Sequence, residues 1–462
     1  MHKFCVVLSL MAVACTVGED FRRPSVYNDT VIKQELSLKD GNNPSKNWYS
    51  LFGDKQLDML IEKGLKNSTD IERAIAKLRQ SRSELNISQS RFLPQINAVG
   101  GYNYQKNSKN IGTTADAHYY NAGFDASWEL DIWGKGRRQN EAAAAMLKAE
   151  DYNLDQVRNV VAAEIASNYV NLKLAVEKLY IARRNLALQR DIFAMVKAKY
   201  QSGLTDDMAY NQAEYLLNST ETQIPQLQSK IEQYKNSLAV LSGVLPSQLP
   251  AGIEKHSPLF SNAYQYNIKS LYNLPASVIR KRPDVAAAEQ NLIAQNALVG
   301  AAVADLYPDI KISALWGYAA TGGNSLFNSK SQGYSYEPVV SLPLLDWNRL
   351  QNQLNKQKYQ KQEAFAVYKK TVLTAVGELK NAMTNVQTEL KNNQLQNRAL
   401  ANMKKVVAAS AEKYRSGLIE FSDFLVMEQN RLQAQNNSLE SKAEIFQNLI
   451  AYYKAAGGGY LL

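Results

Sequence analysis

The chain has 462 residues, a formal net charge of +10, 21% charged residues and two cysteines. The length exceeds a typical single globular domain, so two domains or one elongated architecture is expected. Cys5 and Cys15 both lie near the N-terminus, which leaves the rest without disulfides or thiolate metal sites, and Lys and Arg interleave with Asp and Glu without a basic block, which argues against nucleic-acid binding.

The chain opens on MHKFCVVLSLMAVAC, where Lys3 precedes an apolar run too short for the ~20 residues that span a bilayer. This is the pattern of an export signal over residues 1–14. Ala12-Val13-Ala14-Cys15 is similar to a bacterial lipobox, in which the signal is cut before the cysteine and the cysteine is lipidated. Cys15 is therefore the expected lipid anchor, with a plain cleaved signal as the alternative. An N-terminal segment over 15–57 follows.

From about Gln56 to Arg91 apolar residues recur three and four apart, which predicts helix up to the proline at Pro94. Beyond it the period becomes two. Ile96, Ala98, Gly100, Tyr102 and Tyr104 alternate with mostly polar neighbours. After a polar loop, Ala122, Phe124, Ala126, Trp128, Leu130 and Ile132 interleave with Asn121, Gly123, Asp125, Ser127, Glu129 and Asp131. Strands are predicted over about 94–106 and 119–132, each with one apolar and one polar face.

Between Gly136 and Gln201 there is neither proline nor glycine, so a single helix of roughly 100 Å is predicted. Ile165, Tyr169, Leu172, Val176 and Leu179 step along it as a coiled-coil seam. Gly203 stands where a helix end favours a left-handed residue, and Lys199 suits the negative end of the dipole. A return helix then begins, with Thr205 or Asp206 as its N-cap and Pro225 as an expected kink.

KYQSGL at Lys199–Leu204 returns as KYRSGL at Lys413–Leu418, 214 positions on. The same offset relates Asp70 to Asp284, Pro94 to Pro308, Tyr104 to Tyr318, Trp133 to Trp347 and Gly243 to Gly457. A constant offset with almost no net insertion requires a tandem duplication of one unit. That unit reads as short helix, β-hairpin, long helix, tight turn and return helix. The two copies are placed at 58–243 and 274–457, with a connector at 244–273 and a tail at 458–462. In the second copy the strands are predicted at about 308–319 and 334–345, the turn near Gly417, and Ser422 as a candidate cap.

Alternating strands most often form the edge of a soluble sandwich. Here the strands are about ten residues long, and aromatics sit near the ends of the apolar face, as in membrane barrels. Tyr102, Tyr104, Phe124, Trp128, Trp316, Tyr318, Tyr334 and Tyr336 are the expected lipid-facing aromatics. Four strands cannot close a barrel, for which ~8 is the smallest common number, so closure requires several chains. Three copies would supply twelve strands around a polar lumen; two would supply eight, filled by side chains.

This combination resembles the TolC-type outer-membrane factors, in particular the lipoprotein branch of OprM and NodT-like efflux outlets. The residues carrying the resemblance are CTVGEDFRRP (15–24), WELDIWGKGR (128–137), LSGVLPSQLP (241–250), IRKRPDVAAAE (279–289) and the two KYxSGL turns. The resemblance implies a mostly α-helical homotrimer with a twelve-stranded membrane β-barrel on a twelve-helix α-barrel reaching across the periplasm. Its function would be that of a passive exit duct in the bacterial outer membrane. It would carry small toxic molecules, drugs with metal ions as a further class, out through a tripartite efflux system. Its partners would be a periplasmic adaptor (a membrane fusion protein) and an inner-membrane pump, with a proton-driven pump expected. The resemblance puts adaptor docking at Gly203, Leu204, Gly417 and Leu418. It also puts an aperture-lining acid six positions after each turn glycine. Asp423 fills that position in the second copy, whereas Ala209 fills it in the first, with Asp206 and Asp207 out of register. A ring of carboxylates facing one another would favour cations and restrict the opening; the same spacing also suits an acid at a helix N-terminus.

No catalytic chemistry is visible. His118 and His256 are the only histidines beyond the signal and stand apart. The body has no thiol nucleophile, serine elbow or phosphate loop, and Gly457–Tyr460 follows a helix without opening another. Neither an enzyme nor a cofactor is expected. Two other readings use the same features: the outlet of a type I protein secretion system, and a trimeric coiled-coil surface or spacer lipoprotein that never conducts.

Overall fold

The computed structural model describes residues 16–24, 28–39, 41–42, 44–106, 110, 117–256 and 272–459. The signal, Cys15, much of the connector and the end of the tail lie outside the described residues. The chain is mostly helical with one antiparallel sheet. Its main elements are α1 (Asp29–Leu36), α2 (Lys55–Asn67), α3 (Thr69–Ser90), β1 (Gln95–Gln105), β2 (Ala117–Glu129), α4 (Lys135–Gln201) and α5 (Asp207–Leu241). They continue with α6 (Pro283–Ala304), β3 (Asp309–Ala320), β4 (Gln332–Ser341), α7 (Arg349–Arg415) and α8 (Phe421–Ala455). The halves agree in length: α3 and α6 have 22 residues each, α4 and α7 have 67, and α5 and α8 have 35. No described helix is long and apolar enough to cross a membrane.

The residues divide into two packed units. One holds the described part of Met1–Pro24 with Lys77–Asp151 and Ala287–Lys370. It contains the sheet, in the order β1-β2-β3-β4. Ala142 and Ala145 of α4 meet Ala294 and Ala297 of α6 there, small residues that let two helix backbones come close.

The other unit holds the described part of Ser25–Ala76, Tyr152–Ala286 and Thr371–Leu462. Trp48, Leu57, Leu60, Ile61, Ile165, Tyr169, Leu172 and Leu238 are almost wholly buried in it. Each such large apolar side chain contributes roughly 1.5 to 3 kcal/mol. Trp48 stacks on Tyr453 at 5.3 Å and Phe52 meets Phe446 edge-on at 5.2 Å. The seam residues Ile165, Tyr169, Leu172 and Val176 are buried, and Leu179 is half-buried.

Four details differ from the sequence reading. The helix expected from Gln56 to Arg91 breaks at Ser68, which is buried and extended (φ −60°, ψ 130°). There Gly243, at φ +63°, comes so close that a β-carbon on it would lie 2.1 Å from the Asn67 carbonyl oxygen, a fit only glycine allows. Strand β2 ends at Glu129, before the expected limit near 132, because Asp131 caps α4 by accepting from the Gly136 and Arg137 amides. Strand β4 ends at Ser341, ahead of Pro343, which cannot donate to a ladder. The N-cap of α8 is Glu420, and Ser422 lies inside the first turn.

Candidate functional site

The sheet has two faces of opposite character. Its register sets Ala98 opposite Phe124, Phe124 opposite Trp316, and Trp316 opposite Tyr334. Directly opposed residues share a face, so one face carries Ile96, Tyr102, Tyr104, Phe124, Trp128, Ile312, Trp316, Tyr318, Tyr334, Tyr336 and Val340. All eight aromatics singled out from the sequence thus lie on one side. Tyr318 is half-buried, and the other seven are exposed. Asn97, Asn103, Asp125, Ser127, Glu129, Lys311, Ser313, Ser335 and Glu337 lie on the other face. Gln95, Val99, Leu315 and Val339 complete much of that side, so it is polar with a few apolar interruptions.

Strands β2 and β3 join the two repeats in the middle of the sheet, and β1 and β4 are its free edges. At the foot of the central seam the Trp133 indole donates to the Pro308 carbonyl at 2.8 Å and stacks on Tyr307 at 4.8 Å. Beside it, burial works against the charge of Lys135, but Asp305 at 2.9 Å, with Glu129 and Asp309, outweighs it and raises the lysine pKa. The N-terminal segment is tied to the same foot. The Val17 amide donates to the Trp133 carbonyl at 3.1 Å. Arg138, nearly buried, donates to the Val17 and Gly18 carbonyls and to Asp20 and Glu141.

The two turns share one geometry. Gly203 and Gly417 both adopt φ +69°. The Leu204 amide donates to the Lys199 carbonyl at 2.9 Å, and the Leu418 amide to the Lys413 carbonyl at 2.8 Å. These bonds, with Gly203 to Tyr200 and Gly417 to Tyr414, form the Schellman closure of a helix end. Leu204 and Leu418 are left 76% and 72% exposed. Behind the turns, Val196, Ala209, Ala213, Leu216, Phe421, Phe424 and Leu425 form one core, with Val407, Ala411 and Tyr414 against it. Lys199 lies 4.7 Å from the centre of the Tyr414 ring, linking the ends of α4 and α7.

The acids near the turns fall into different roles. Asp206 caps α5 by accepting from the Ala209 amide at 2.9 Å. Asp207 accepts from the Tyr200 phenol, which raises the phenol pKa. Ala209 is buried in the shared core, whereas Asp423 is exposed in the first turn of α8. The repeat-equivalent positions therefore face different surroundings.

Besides Arg138, two further buried cations have no role assigned from the sequence. Arg282, with its side chain 6% exposed, donates to Asp284, Glu378 and the carbonyls of Ala375 and Ala455. Burial opposes its charge, and the two carboxylates outweigh that and raise its pKa. Lys173 donates to the Ile253 carbonyl at 3.0 Å and the Lys255 carbonyl at 3.2 Å, and burial lowers its pKa despite Asp54 and Glu254. An arginine just before a helix-opening proline and aspartate, Arg282-Pro283-Asp284, is the local signal for the first. Nothing local marks the second, since its partners are distant in sequence.

Comparison with known proteins agrees with this architecture. The chain is 26% identical over 463 residues to the cation efflux system protein CusC of Escherichia coli (strain K12), covering 99% of this chain and 98% of CusC. It is 25% identical over 462 residues to the probable outer membrane lipoprotein SilC of Salmonella typhimurium, covering 98% and 97%. The solved structure of the outer-membrane channel OprN matches with a TM-score of 0.88 at 27% identity, over 96% of this chain and all of that one. The family model described as outer membrane efflux protein matches residues 60–244 and again 274–458. With both repeats matched and the fold shared along nearly the whole chain, this protein belongs to the outer membrane efflux protein family.

Proposed function

We propose that the chain is the outer-membrane exit duct of a tripartite efflux system, working as a homotrimer whose twelve strands close one barrel and whose twelve long helices form the tube behind it. The observation that carries this reading is the sheet with one aromatic face, one polar face and two unpaired edges. Such a sheet is stable in a bilayer only when its edges are joined, because unpaired backbone groups are costly in lipid. The aromatic face then meets lipid, and the polar face lines a passive, wet lumen.

Cys15 is the lipid anchor in this reading. Thr16, which follows it, packs against Gly134 at the foot of the sheet, where a chain tethered to the inner leaflet would enter. The name of SilC as a probable lipoprotein supports the same assignment. Gly203, Leu204, Gly417 and Leu418 offer two alike apolar turns to a periplasmic adaptor. Asp423, with no hydrogen-bond or ion-pair partner among the described residues, forms one acidic ring at the aperture. Ala209 supplies no second ring, because its position is filled by core. The duct is driven by an inner-membrane pump and carries small toxic molecules; CusC, named for cation efflux, brings metal ions within the same class.

Accumulation of ethidium in cells lacking the chain tests the cargo. Raised accumulation, reversed by a plasmid copy, is expected. Unchanged accumulation together with loss of a secreted protein from the medium would assign the chain to protein secretion instead.

A further inference from the structure

The net charge of +10 is not spread evenly along the chain. Helix α7 carries thirteen basic and four acidic residues, an excess almost equal to that of the whole protein. Its cations are also regularly placed. Lys358, Lys369, Lys380 and Lys391 stand 11 positions apart, and Lys391, Arg398 and Lys405 stand 7 apart. Steps of 11 and of 7 each return to within ~20° of the same face of an α-helix. All six side chains belong to exposed residues. We infer that this face of α7 docks the cell-wall polymer, with Lys391, Arg398 and Lys405 binding the free carboxylates of peptidoglycan. The inference rests on the duct proposed above, whose tube has to pass through that layer, and adds a partner outside the efflux system.

In the second half of α7 the acids are satisfied within the chain and the cations of this face are not. Glu378 accepts from Arg282, Glu389 from Ser441 and Asn392, and Glu412 from Arg415. Lys391, Arg398 and Lys405 have no hydrogen-bond or ion-pair partner among the described residues. Lys380, on the same face, pairs with a carboxylate, that of Glu35 in α1. Gln387, seven positions on, donates to the Tyr272 hydroxyl. Segments from elsewhere in the chain thus cross this face of α7. A duct kept clear for cargo carries such crossing segments on its outer wall, which turns the face away from the lumen.

Duplication supplies the comparison. At the offset of 214 the six positions are Ala144, Asp155, Ala166, Glu177, Arg184 and Asp191 in α4, three of them acidic. Helix α4 has the same 67 residues as α7, so a long helix of this fold does not require cations at these places. Ala166 is wholly buried and Glu177 lies 2.6 Å from His256, so the first copy spends this face inside the chain. From Lys380 to Lys405 the second copy spreads its cations over roughly 38 Å. Such a row suits a polymer with a carboxylate on each repeat, whereas a small anion needs donors gathered in one place. Each exposed pair is weak, so binding depends on several being made at once.

Sedimentation of the purified oligomer with isolated peptidoglycan sacculi tests this. The parent should pellet with sacculi at low salt and be released near ~1 M salt, where charges are screened within a few Å. The triple variant Lys391→Gln, Arg398→Gln, Lys405→Gln should be held about tenfold more weakly, as the loss of three exposed ion pairs would give. A second triple variant, Arg183→Gln, Arg184→Gln, Lys230→Gln, removes the same charge from other exposed positions and should bind as the parent does. Sacculi with amidated carboxylates should retain none of the three. Both variants should stay oligomeric and keep the parent's conductance in a planar bilayer, which reports a folded protein. Equal retention of the first variant and the parent, equal loss in both variants, or undiminished binding to amidated sacculi would overturn the inference and leave the duct standing. Loss of the oligomer in the first variant alone would give this face to a second copy instead. A parent held by sacculi through these three residues that passes no current would keep the wall contact and remove the duct.

Discussion

Single residues fix the chain at a few points, and their chemistry sets what substitution does. Arg282 joins the start of α6 to α7 and to the end of α8 through two carboxylates and two carbonyls. Arg282→Ala removes a buried cation and its bonds to all of these groups, and a loss of about 3 kcal/mol is expected from denaturant unfolding of the purified protein. Asp58 offers the opposite case. Burial, then Glu62 and Asp54, raise its pKa, and its Oδ1 is buried without a hydrogen bond. The folded state thus holds this proton more tightly than the unfolded chain, so its penalty at neutral pH is relieved as pH falls toward the raised pKa. Asp58→Asn is expected to raise the melting temperature at pH 7 and to flatten its rise between pH 7 and pH 4. A mutant no more stable than the parent at pH 7 would contradict this. The turn glycines are simpler. A β-carbon at Gly203 or Gly417 would meet nothing within 4 Å, so alanine there costs only the left-handed backbone, about 1 kcal/mol each. Hydrogen exchange should quicken at the turn carrying the alanine and stay unchanged at the other.

At the scale of elements, what was legible in the sequence was what repeats locally. Period-two alternation from Ile96 to Tyr104 and from Ala122 to Trp128 marks faces, and the structure puts these residues in one sheet with the aromatics on one side. A long run without proline or glycine marks α4, a matching run interrupted only by Gly377 marks α7, and the glycines of KYxSGL mark their ends. Less legible were features set by distant partners. The break at Ser68 answers to the close approach of Gly243, and the end of β2 is set by Asp131 turning back to cap α4. The cap of α5 was narrowed to two neighbours, and Asp206 is the one that accepts the Ala209 amide. Asp206→Ala should cost about 1 kcal/mol. It should fray the first turn of α5, read as lost amide protection there, with α8 unaffected. The difference between Ala209 and Asp423 was visible in the sequence, but its reason was not. It needed the core in which Ala209 is packed.

For the whole molecule, duplication gives one chain two similar hairpins, a sheet with two open edges, and two alike turns. Copies of such a chain can complete one another, and a polar wall suits a passive conduit whose selectivity lies elsewhere. The proposed aperture at Asp423 is where the two repeats differ in charge, Ala209 standing at the equivalent position. An acid facing its copies favours cations. The most direct measurement is the conductance of the purified oligomer in a planar bilayer, for the parent and for Asp423→Ala. Discrete channels with a preference for cations are expected, with larger conductance and weaker cation preference in the mutant. A correctly folded oligomer that passes no current in either form would contradict the duct itself.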